Sequence, residues 1–503
     1  MPARSSDAHS ASRYSCLQCR EAKRKCDLRP KQPNTSTAFS PPLLLSPRNT
    51  PSPSQASTQS REAAEPQQPR IQQSTLVAEH FLDPEVFQNA QLLLPALQID
   101  SLLTDEIAAT VGTVADIRGT AQKHFSTVHV WMPIVSKIQF YKLLLKRLTY
   151  NRAELHLLLL AMRLSSDAVN LMARTPLYEL TKQFQHSVQN SGILSLLALQ
   201  ASIFIACYEL GHGIYPAAFF SIASCARYAI ALSVDSSVSE HPDPEIEAFD
   251  LEECRRVWWA ILAMDRYEIF DSVHVCWLFI DGGVSRFINL SNPKRQLVTP
   301  DPDTSNYIPI DDQNWDNGTT GPEDACTLTS ANTLEMGRFA RLAQAAHLLS
   351  LAIKDVAEGS HDSAQLRRTI FALVHVSRLE ARVRRLELCT QMSTCFSAIL
   401  LLDNPTSLQN VASRELPSHS DTGRSPESSS VLASTIEMAE RIIGAHESVK
   451  NAVSPFVLHL NYTAASIYLQ QAMAEPSSDA AGRVATLRKS LKLFSQRWLV
   501  AGK

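Results

Sequence analysis

From about residue 76 onward, the chain is a succession of long apolar segments with helical periodicity and few strand signals. The segment "DLEECRRVWWAILAMDR" (250–266) is the clearest case. Five of its side chains recur at the i, i+3, i+4, i+7 spacing of one helix face: Cys254, Val257, Trp258, Ile261 and Met264. No repeat of fixed period is found. The pattern therefore predicts a mostly α fold, with a large all-α domain as its main body.

Further helical patterns extend this prediction over most of the chain. The predicted helices are 153–164, 193–210, 217–232, 331–356, 363–401, 432–450, 455–474 and 483–499. Residues 193–210 and 217–232 are expected to form an antiparallel pair, with a turn at Gly211-His212-Gly213, where glycine permits a left-handed helix end. Pro216 suits the first position of the second helix, because that position needs no N–H.

Polar positions in 250–266 also give predictions. Asp250 and Glu253 form a plausible capping pair at the helix N-terminus. Glu252 and Arg256 lie four residues apart and are expected on an outer face, where such a pair adds a few tenths of a kcal/mol at most.

Two segments have the composition of linkers. In residues 32–75, Ser, Thr, Pro and Gln supply 28 of the 44 positions, so little apolar surface could offset the ordering entropy. Residues 403–431 are rich in Ser and Pro and are likewise predicted to be a disordered loop. The predicted organisation is a small module at 1–31, a disordered linker at 32–75, an all-α domain at 76–402 with its core at about 120–320, the loop, and packed helices at 432–503.

Bulk composition excludes several classes of protein. Ten cysteines in 503 residues are too few and too scattered for a secreted disulfide scaffold. The start has no apolar core like that of a signal peptide, and the most apolar run, Ile193 to Leu210, is interrupted by Gln200. We therefore expect a reducing compartment and no membrane partner.

The first 31 residues contain a local concentration of cysteine and positive charge. Cys16, Cys19 and Cys26 follow C-x2-C-x6-C, a spacing with which three thiolates can reach one zinc ion. Between them lie Arg20, Lys23, Arg24 and Lys25, which suit phosphates and base edges. Residues 11–31 contain seven Lys or Arg against two acids, although the whole chain has a net charge of −3. This excess favours a polyanionic partner.

The stretch "YSCLQCREAKRKCDLRP" (14–30) resembles the first half of the fungal binuclear zinc-cluster transcription regulators. The resemblance implies six cysteines holding two zinc ions, a first helix whose Lys23 contacts bases in the major groove, and Arg20 and Lys25 as phosphate or structural contacts. This chain departs from that pattern, because the next cysteine after Cys26 is Cys207. We therefore expect at most one weakly held zinc. The alternative is a basic tail without metal, and a nuclear-import signal at Lys23-Arg24-Lys25 is compatible with either case.

Five blocks of the body resemble the fungal-specific transcription factor domain, or middle homology region. They fall in the expected order at 124–144, 195–235, 252–266, 292–302 and 308–318. The resemblance implies an all-α regulatory domain without catalysis.

Direct searches for chemistry agree with that implication, since no phosphate loop, nucleophile elbow or H-E-x-x-H motif is found. His124 and His129 are expected to be packing or capping residues, and Cys207 and Cys225 to be buried. The acids Asp301, Asp303, Asp311 and Asp312 are expected to be exposed in loops.

One further interruption divides the resemblance. "YEIFDSVHVCWLFIDGGVS" stands between Arg266 and Arg286-Phe287, and its apolar residues Val273 to Ile280 have a strand-like pattern. One hypothesis is an intron translated in frame, whose excision would rejoin Arg266 to Phe287. The alternative is a genuine insertion loop.

Together these observations predict a nuclear, sequence-specific DNA-binding regulator of RNA polymerase II transcription in a fungus, and not an enzyme. The alternative is a regulatory interaction protein that has lost DNA binding because its zinc cluster is incomplete. The expected partners are DNA and the transcription machinery or co-regulators. A homodimer stays open, although Pro95 breaks any heptad in the apolar stretch Val86 to Ile99.

Overall fold

The computed structural model describes most of the chain from residue 101 to residue 502. The described ranges are 101–147, 152–167, 172–192, 194–239, 248–271, 279–280, 283–284, 297–319, 321–330, 334–359, 363–387, 389–403, 425–446, 450–474 and 479–502. The predicted zinc-binding and DNA-binding residues, the linker at 32–75 and the stretch Val86 to Ile99 all lie outside these ranges.

The described residues are mostly helical, as the apolar periodicity predicts. The helices are α1 Asp105–Val111, α2 Val114–Ser126, α3 Lys137–Arg147, α4 Ala153–Ser166, α5 Pro176–Asn190, α6 Leu196–His212, α7 Ala217–Ala231, α8 Ala248–Asp271, α9 Asp312–Asn317, α10 Gly337–Glu358, α11 Ala364–Arg384, α12 Cys389–Asp403, α13 Pro426–Gly444, α14 Phe456–Ala474 and α15 Ala480–Phe494. Short 3-10 helices occur at Val128–Val130, Val234–Val238, Pro322–Asp324 and Leu499–Gly502.

Two short antiparallel strand pairs accompany the helices. Strand β1 Phe279–Ile280, at the end of the strand-like pattern Val273 to Ile280, pairs with β2 Gly283–Val284. Strand β3 Tyr307–Ile308 pairs with β4 Cys326–Thr327. Both pairs are only two residues long, so helix packing provides most of the described core.

One continuous apolar core joins the described helices. Helix α6 is buried on nearly all sides and packs against α4 and α7, while α10 packs against α12 and α14 against α15. The sequence predicts such burial, because a helix that is apolar all round must lie inside a larger body. No described helix is long and apolar enough to cross a membrane.

The turn between α6 and α7 differs in detail from the prediction. Gly213, with φ +65°, is the left-handed residue that ends α6, whereas Gly211 lies inside the helix. A Cβ on Gly211 would lie 2.1 Å from the ring of Trp498, so glycine is needed there for close packing. Pro216 precedes the first residue of α7 and follows a cis peptide bond.

Residues just before the last 3-10 helix close one end of the helical body. Arg497 Nη1 donates to the carbonyl oxygens of Ser166 (2.8 Å) and Asp167 (3.2 Å), and so caps the C-terminus of α4. Trp498 is 1% exposed, and its ring nitrogen donates to the carbonyl of Val453 at 2.9 Å. Burial lowers the pKa of Arg497 to about 10.

Helix α8 contradicts the predicted capping pair of Asp250 and Glu253. It begins at Ala248, so Asp250 lies in its first turn rather than at the N-cap. The carboxylate of Glu253 is buried and accepts from the backbone N–H of Ser136 (2.9 Å) and the side chain of Gln200 (2.8 Å). The predicted capping pair is therefore wrong, because Glu253 links α8 to other elements.

Two other boundaries differ from expectation. The pattern over 363–401 is two helices, α11 and α12, because Arg385 adopts a left-handed conformation (φ +54°) and ends α11. Helix α13 begins at Pro426, inside the predicted loop at 403–431, with Ser425 as its N-cap. The part of that loop from 404 to 424 lies outside the described residues.

Candidate functional site

The most developed polar arrangement in the described residues is a buried ionic network around Arg256. This side chain is 0% exposed, and its Nε donates to Glu252 Oε1 at 2.8 Å. Its Nη1 donates to Asp312 Oδ1 at 2.9 Å, and its Nη2 to the carbonyl of Ile310 at 2.7 Å. The guanidinium also lies 4.1 Å from the ring centroid of Trp315. Arg256 therefore joins α8 to the segment that enters α9.

The two carboxylates paired with Arg256 have further donors. Glu252 accepts from the backbone N–H of Ile310 (3.0 Å) and from Arg255 (3.3 Å). Asp312 accepts from the first backbone N–H groups of α10, at Arg338 (2.8 Å) and Phe339 (3.2 Å). The charges are thus compensated by partners from three elements, as a buried charge requires.

This geometry corrects two sequence predictions. Glu252 and Arg256 are 3% and 0% exposed, so their pair lies in the interior and not on an outer face. Asp311 is 8% exposed, and the side chain of Asp312 is 15% exposed, so neither is an exposed loop acid. Asp301 and Asp303 are exposed, as predicted. Sequence spacing identifies the i, i+4 pair but does not reveal which face of the helix is covered.

The network continues from Asp311 into α10 and α11. Asp311 forms an ion pair with Arg384 at 2.6 Å, and Arg384 also pairs with Glu380 at 3.1 Å. Glu380 and Arg341 are both 0% exposed and pair at 2.7 Å. Glu380 also accepts from the backbone N–H of Gly337 at 3.0 Å. A chain of charges therefore ties α8, α9, α10 and α11 together.

A second buried arginine lies near the end of α8. Arg266 is 0% exposed and donates to Ser350 Oγ (2.6 Å), to Thr299 Oγ1 and to the carbonyl of Pro300 (2.9 Å). Its neighbour Asp265 accepts from the backbone N–H of Thr299 at 2.8 Å. Burial lowers the pKa of Arg266, although Asp265 and Asp301 raise it.

These contacts bear on the interruption after Arg266. Residues 298–301 are held against Asp265 and Arg266, so the chain before and after the interruption meets at one place. Tyr267, the first residue of the hypothetical intron, is 2% exposed, stacks on Phe456 at 4.1 Å between centroids and bonds Thr394 at 2.7 Å. Whether residues 267–286 are encoded by an intron stays a hypothesis.

His124 and His129 are packing residues, as predicted. The Nε2 of His129 donates to Asp316 Oδ1 at 2.9 Å, and its ring stacks on Trp315 with 6.1 Å between centroids. Both nitrogens of His124 are buried without a hydrogen-bond partner, and burial lowers the pKa of His124 well below its usual value. Burial also lowers the pKa of His129, against the opposite effect of Asp316.

Zinc ligation is expected from Cys16, Cys19 and Cys26, which lie outside the described ranges. Cys207 and Cys225 are buried as predicted, and burial raises the pKa of each thiol to about 12. Among the described residues, no group of three or more His, Cys, Asp or Glu could hold a metal ion.

The enclosed cavity found between α6, α8 and α14 is small. It has a volume of about 10 Å³ and is lined by Leu210, Tyr267, Pro455, Phe456, Leu458, His459 and Val500. This is about the volume that one water molecule needs. This cavity is therefore too small to hold an effector.

Comparison with known proteins shows what the central helices of the body are similar to. Residues 121–270, from α2 through most of α8, match the family model described as "Fungal specific transcription factor domain". The curated protein "Transcription factor BOA15" from Botryotinia fuckeliana (strain B05.10) is 34% identical over 156 residues, which is 31% of this chain and 84% of that protein. No solved structure matches the chain.

Proposed function

Because the chain belongs to the fungal-specific transcription factor domain family, which is a family of transcription factors and not of enzymes, we propose that it is a sequence-specific, zinc-cluster-type DNA-binding regulator of RNA polymerase II transcription. The observation that carries this proposal is the match over 84% of a protein named as a transcription factor. The matched residues form the central helices of the body. In this proposal the helical body has the regulatory role, and the protein acts in the nucleus.

In this proposal the N-terminal residues provide the contact with DNA. Cys16, Cys19 and Cys26 hold one zinc ion, which folds the short segment between them. Lys23 contacts base edges in the major groove, while Arg20, Arg24 and Lys25 contact phosphates. Three cations on phosphates make binding dependent on salt.

A second function is favoured by one observation. The N-terminal stretch has only three cysteines where intact relatives have six, because the next cysteine after Cys26 is Cys207. The alternative is a regulatory protein that acts through its helical body, by binding co-regulators, without binding DNA itself.

Zinc and DNA titrations separate the two proposals. The full chain is titrated with zinc, and binding to a randomised DNA pool is measured with and without metal. The first proposal expects zinc-dependent selection of a defined site, abolished by Cys19→Ser. Cys389→Ser is a matched control, because Cys389 lies in the helical body. Specific binding that is absent, or that persists without zinc, contradicts the first proposal.

The transcript must be sequenced alongside this test. If mature messages encode three more cysteines after Cys26, the protein that acts in the cell has a complete cluster. If every mature message contains the codons for 267–286, the intron hypothesis is wrong.

A further inference from the structure

The outer surface of α2 and α3 contains a groove with no role in the buried network. It has a volume of about 510 Å³ and is lined by Arg118, Gln122, Phe125, Ser126 and Tyr141. It is widely open to solvent and is therefore a shallow surface groove rather than an enclosed cavity. The ring centroids of Phe125 and Tyr141 lie 5.9 Å apart, and Tyr141 is 45% exposed. The groove therefore presents aromatic surface to solvent.

Apolar side chains extend this surface along both helices. Leu145 is 71% exposed and lies one turn after Tyr141 on α3. Val114 is 49% exposed and lies one turn before Arg118 on α2. Residues four apart share a helix face, so the apolar surface continues beyond the groove at each end. A patch of this kind, with a polar rim, is typical of an interaction site.

The charges at the groove are positive and in part unpaired. Arg118 lines the groove, is exposed and forms no hydrogen bond or ion pair within the described residues. Lys142 follows the lining residue Tyr141 on α3, is also exposed and likewise forms none there. Lys137 lies 5.7 Å from the ring centroid of Phe125 and pairs with Asp316. No acidic side chain lines the groove. The groove therefore fits an occupant that combines acidic and apolar side chains.

The sequence immediately before these helices has that composition. Residues 71–117 contain seven acids and no Lys or Arg, whereas residues 118–152 contain seven Lys or Arg and no acid. Within the acidic block, residues 79–100 precede the described part of the chain and combine four acids with aromatic and aliphatic residues. The acids and the large apolar residues are Glu79, Phe81, Leu82, Asp83, Glu85, Val86, Phe87, Leu92, Leu93, Leu94, Leu97, Ile99 and Asp100.

We propose that the groove between α2 and α3 is the docking site of residues 79–100 of the same chain, with Asp83 and Glu85 paired with Arg118 and Lys142. The tether is long enough. Phe87 lies fourteen residues before Ser101, and fourteen extended residues span about 45–50 Å. The path from Ser101 along α1 to Arg118 is shorter, because helices rise only about 1.5 Å per residue.

The first test locates the segment in the full chain without DNA, so that it does not depend on the proposed DNA binding. Carbodiimide joins amines to carboxylates that are in contact. We expect links from Lys142 or Lys137 to Glu79, Asp83 or Glu85, identified by mass spectrometry. Mixing 14N-labelled and 15N-labelled protein separates links within one molecule from links between two. Links only between molecules, or no links to these acids, overturn the proposal.

The second test uses charge reversal and restoration. Hydrogen exchange is measured over residues 81–87 and over the groove. In Arg118→Glu/Lys142→Glu, exchange of 81–87 should become faster by about tenfold or more. Adding Asp83→Lys/Glu85→Lys should restore the slower exchange. The matched control is Arg488→Glu/Lys489→Glu, which makes the same charge change on an exposed face of α15. Equal exchange in the groove variant and in the control overturns the proposal.

Discussion

Arg256 and Arg266 lie on one helix and are both 0% exposed, but the protein compensates their charges differently. Arg256 donates to two carboxylates within 2.9 Å, those of Glu252 and Asp312. Arg266 donates mainly to hydroxyl and carbonyl oxygens, and its nearest carboxylate oxygens are 3.5 Å away. Removal of Arg256 therefore leaves buried anions, whereas removal of Arg266 leaves mostly neutral acceptors.

The largest effect is expected from Arg256→Met. Glu252 would lose its closest cation inside the protein, and a buried pair broken on one side costs about 3–5 kcal/mol. We expect a loss of this size in the free energy of unfolding, measured by urea denaturation at pH 7. The double variant Glu252→Gln/Arg256→Met should lose less than the sum of the two single variants, because the uncompensated charge is gone. Additive losses would show that the two side chains do not interact.

Arg266→Met should cost less, about 1–3 kcal/mol, because neutral hydrogen-bond acceptors are left behind. Ser350 Oγ also donates to Ala346, and Thr299 Oγ1 donates to Asp265, so both hydroxyls keep one partner. The same denaturation experiment measures this loss. A loss equal to that of Arg256→Met would mean that the kind of partner does not matter in this helix.

Acid titration tests the Arg256 region alone. Burial raises the pKa of Asp316, but the hydrogen bonds and charges of His129 and Lys137 outweigh it and lower this pKa to about 2. A carboxyl whose pKa is depressed in the folded protein stabilises the fold fully when the pH is above its pKa in the unfolded chain, about 3.9. This stabilisation is lost as the pH falls towards 2. Between pH 6 and pH 3 the wild type should therefore lose about 1 kcal/mol more than Asp316→Asn. Parallel pH profiles would contradict this.

The smallest effect is expected at an exposed pair. Lys354 and Glu358 lie 4.0 Å apart, with side chains 58% and 62% exposed. Because solvent screens such pairs, Lys354→Ala should change the unfolding free energy by less than about 0.5 kcal/mol. A larger change would mean that spacing, rather than burial, determines the contribution of an i, i+4 pair in this protein.

The apolar pattern of the sequence predicts most helices, because a buried face leaves a periodic signature. It does not predict where the charges lie. Arg256 meets Asp312 across 56 residues, and Arg341 meets Glu380 across 39, so the contacts that bury them are not local. The sequence also does not show why a glycine is present. Gly211 is compatible with a turn, but in the structure it lies inside α6 and leaves space for the ring of Trp498. Asp312, Arg341 and Glu380 lie outside the family match at 121–270, although Asp312 falls in a block that resembles the family.

The contacts of Arg497 and Trp498 have a consequence for synthesis of the protein. Helices α4 and α6 are made early, but the cap on α4 and the ring against Gly211 come from residues translated about 330 and 290 positions later. A ribosome adds roughly 5–20 residues per second, so Arg497 and Trp498 are synthesised tens of seconds after α4 and α6. During that interval the apolar surfaces of α4 and α6 depend on chaperones or on neighbouring helices. A message truncated before the codons for Arg497 and Trp498 would therefore destabilise α4 and α6, although both helices would still be synthesised.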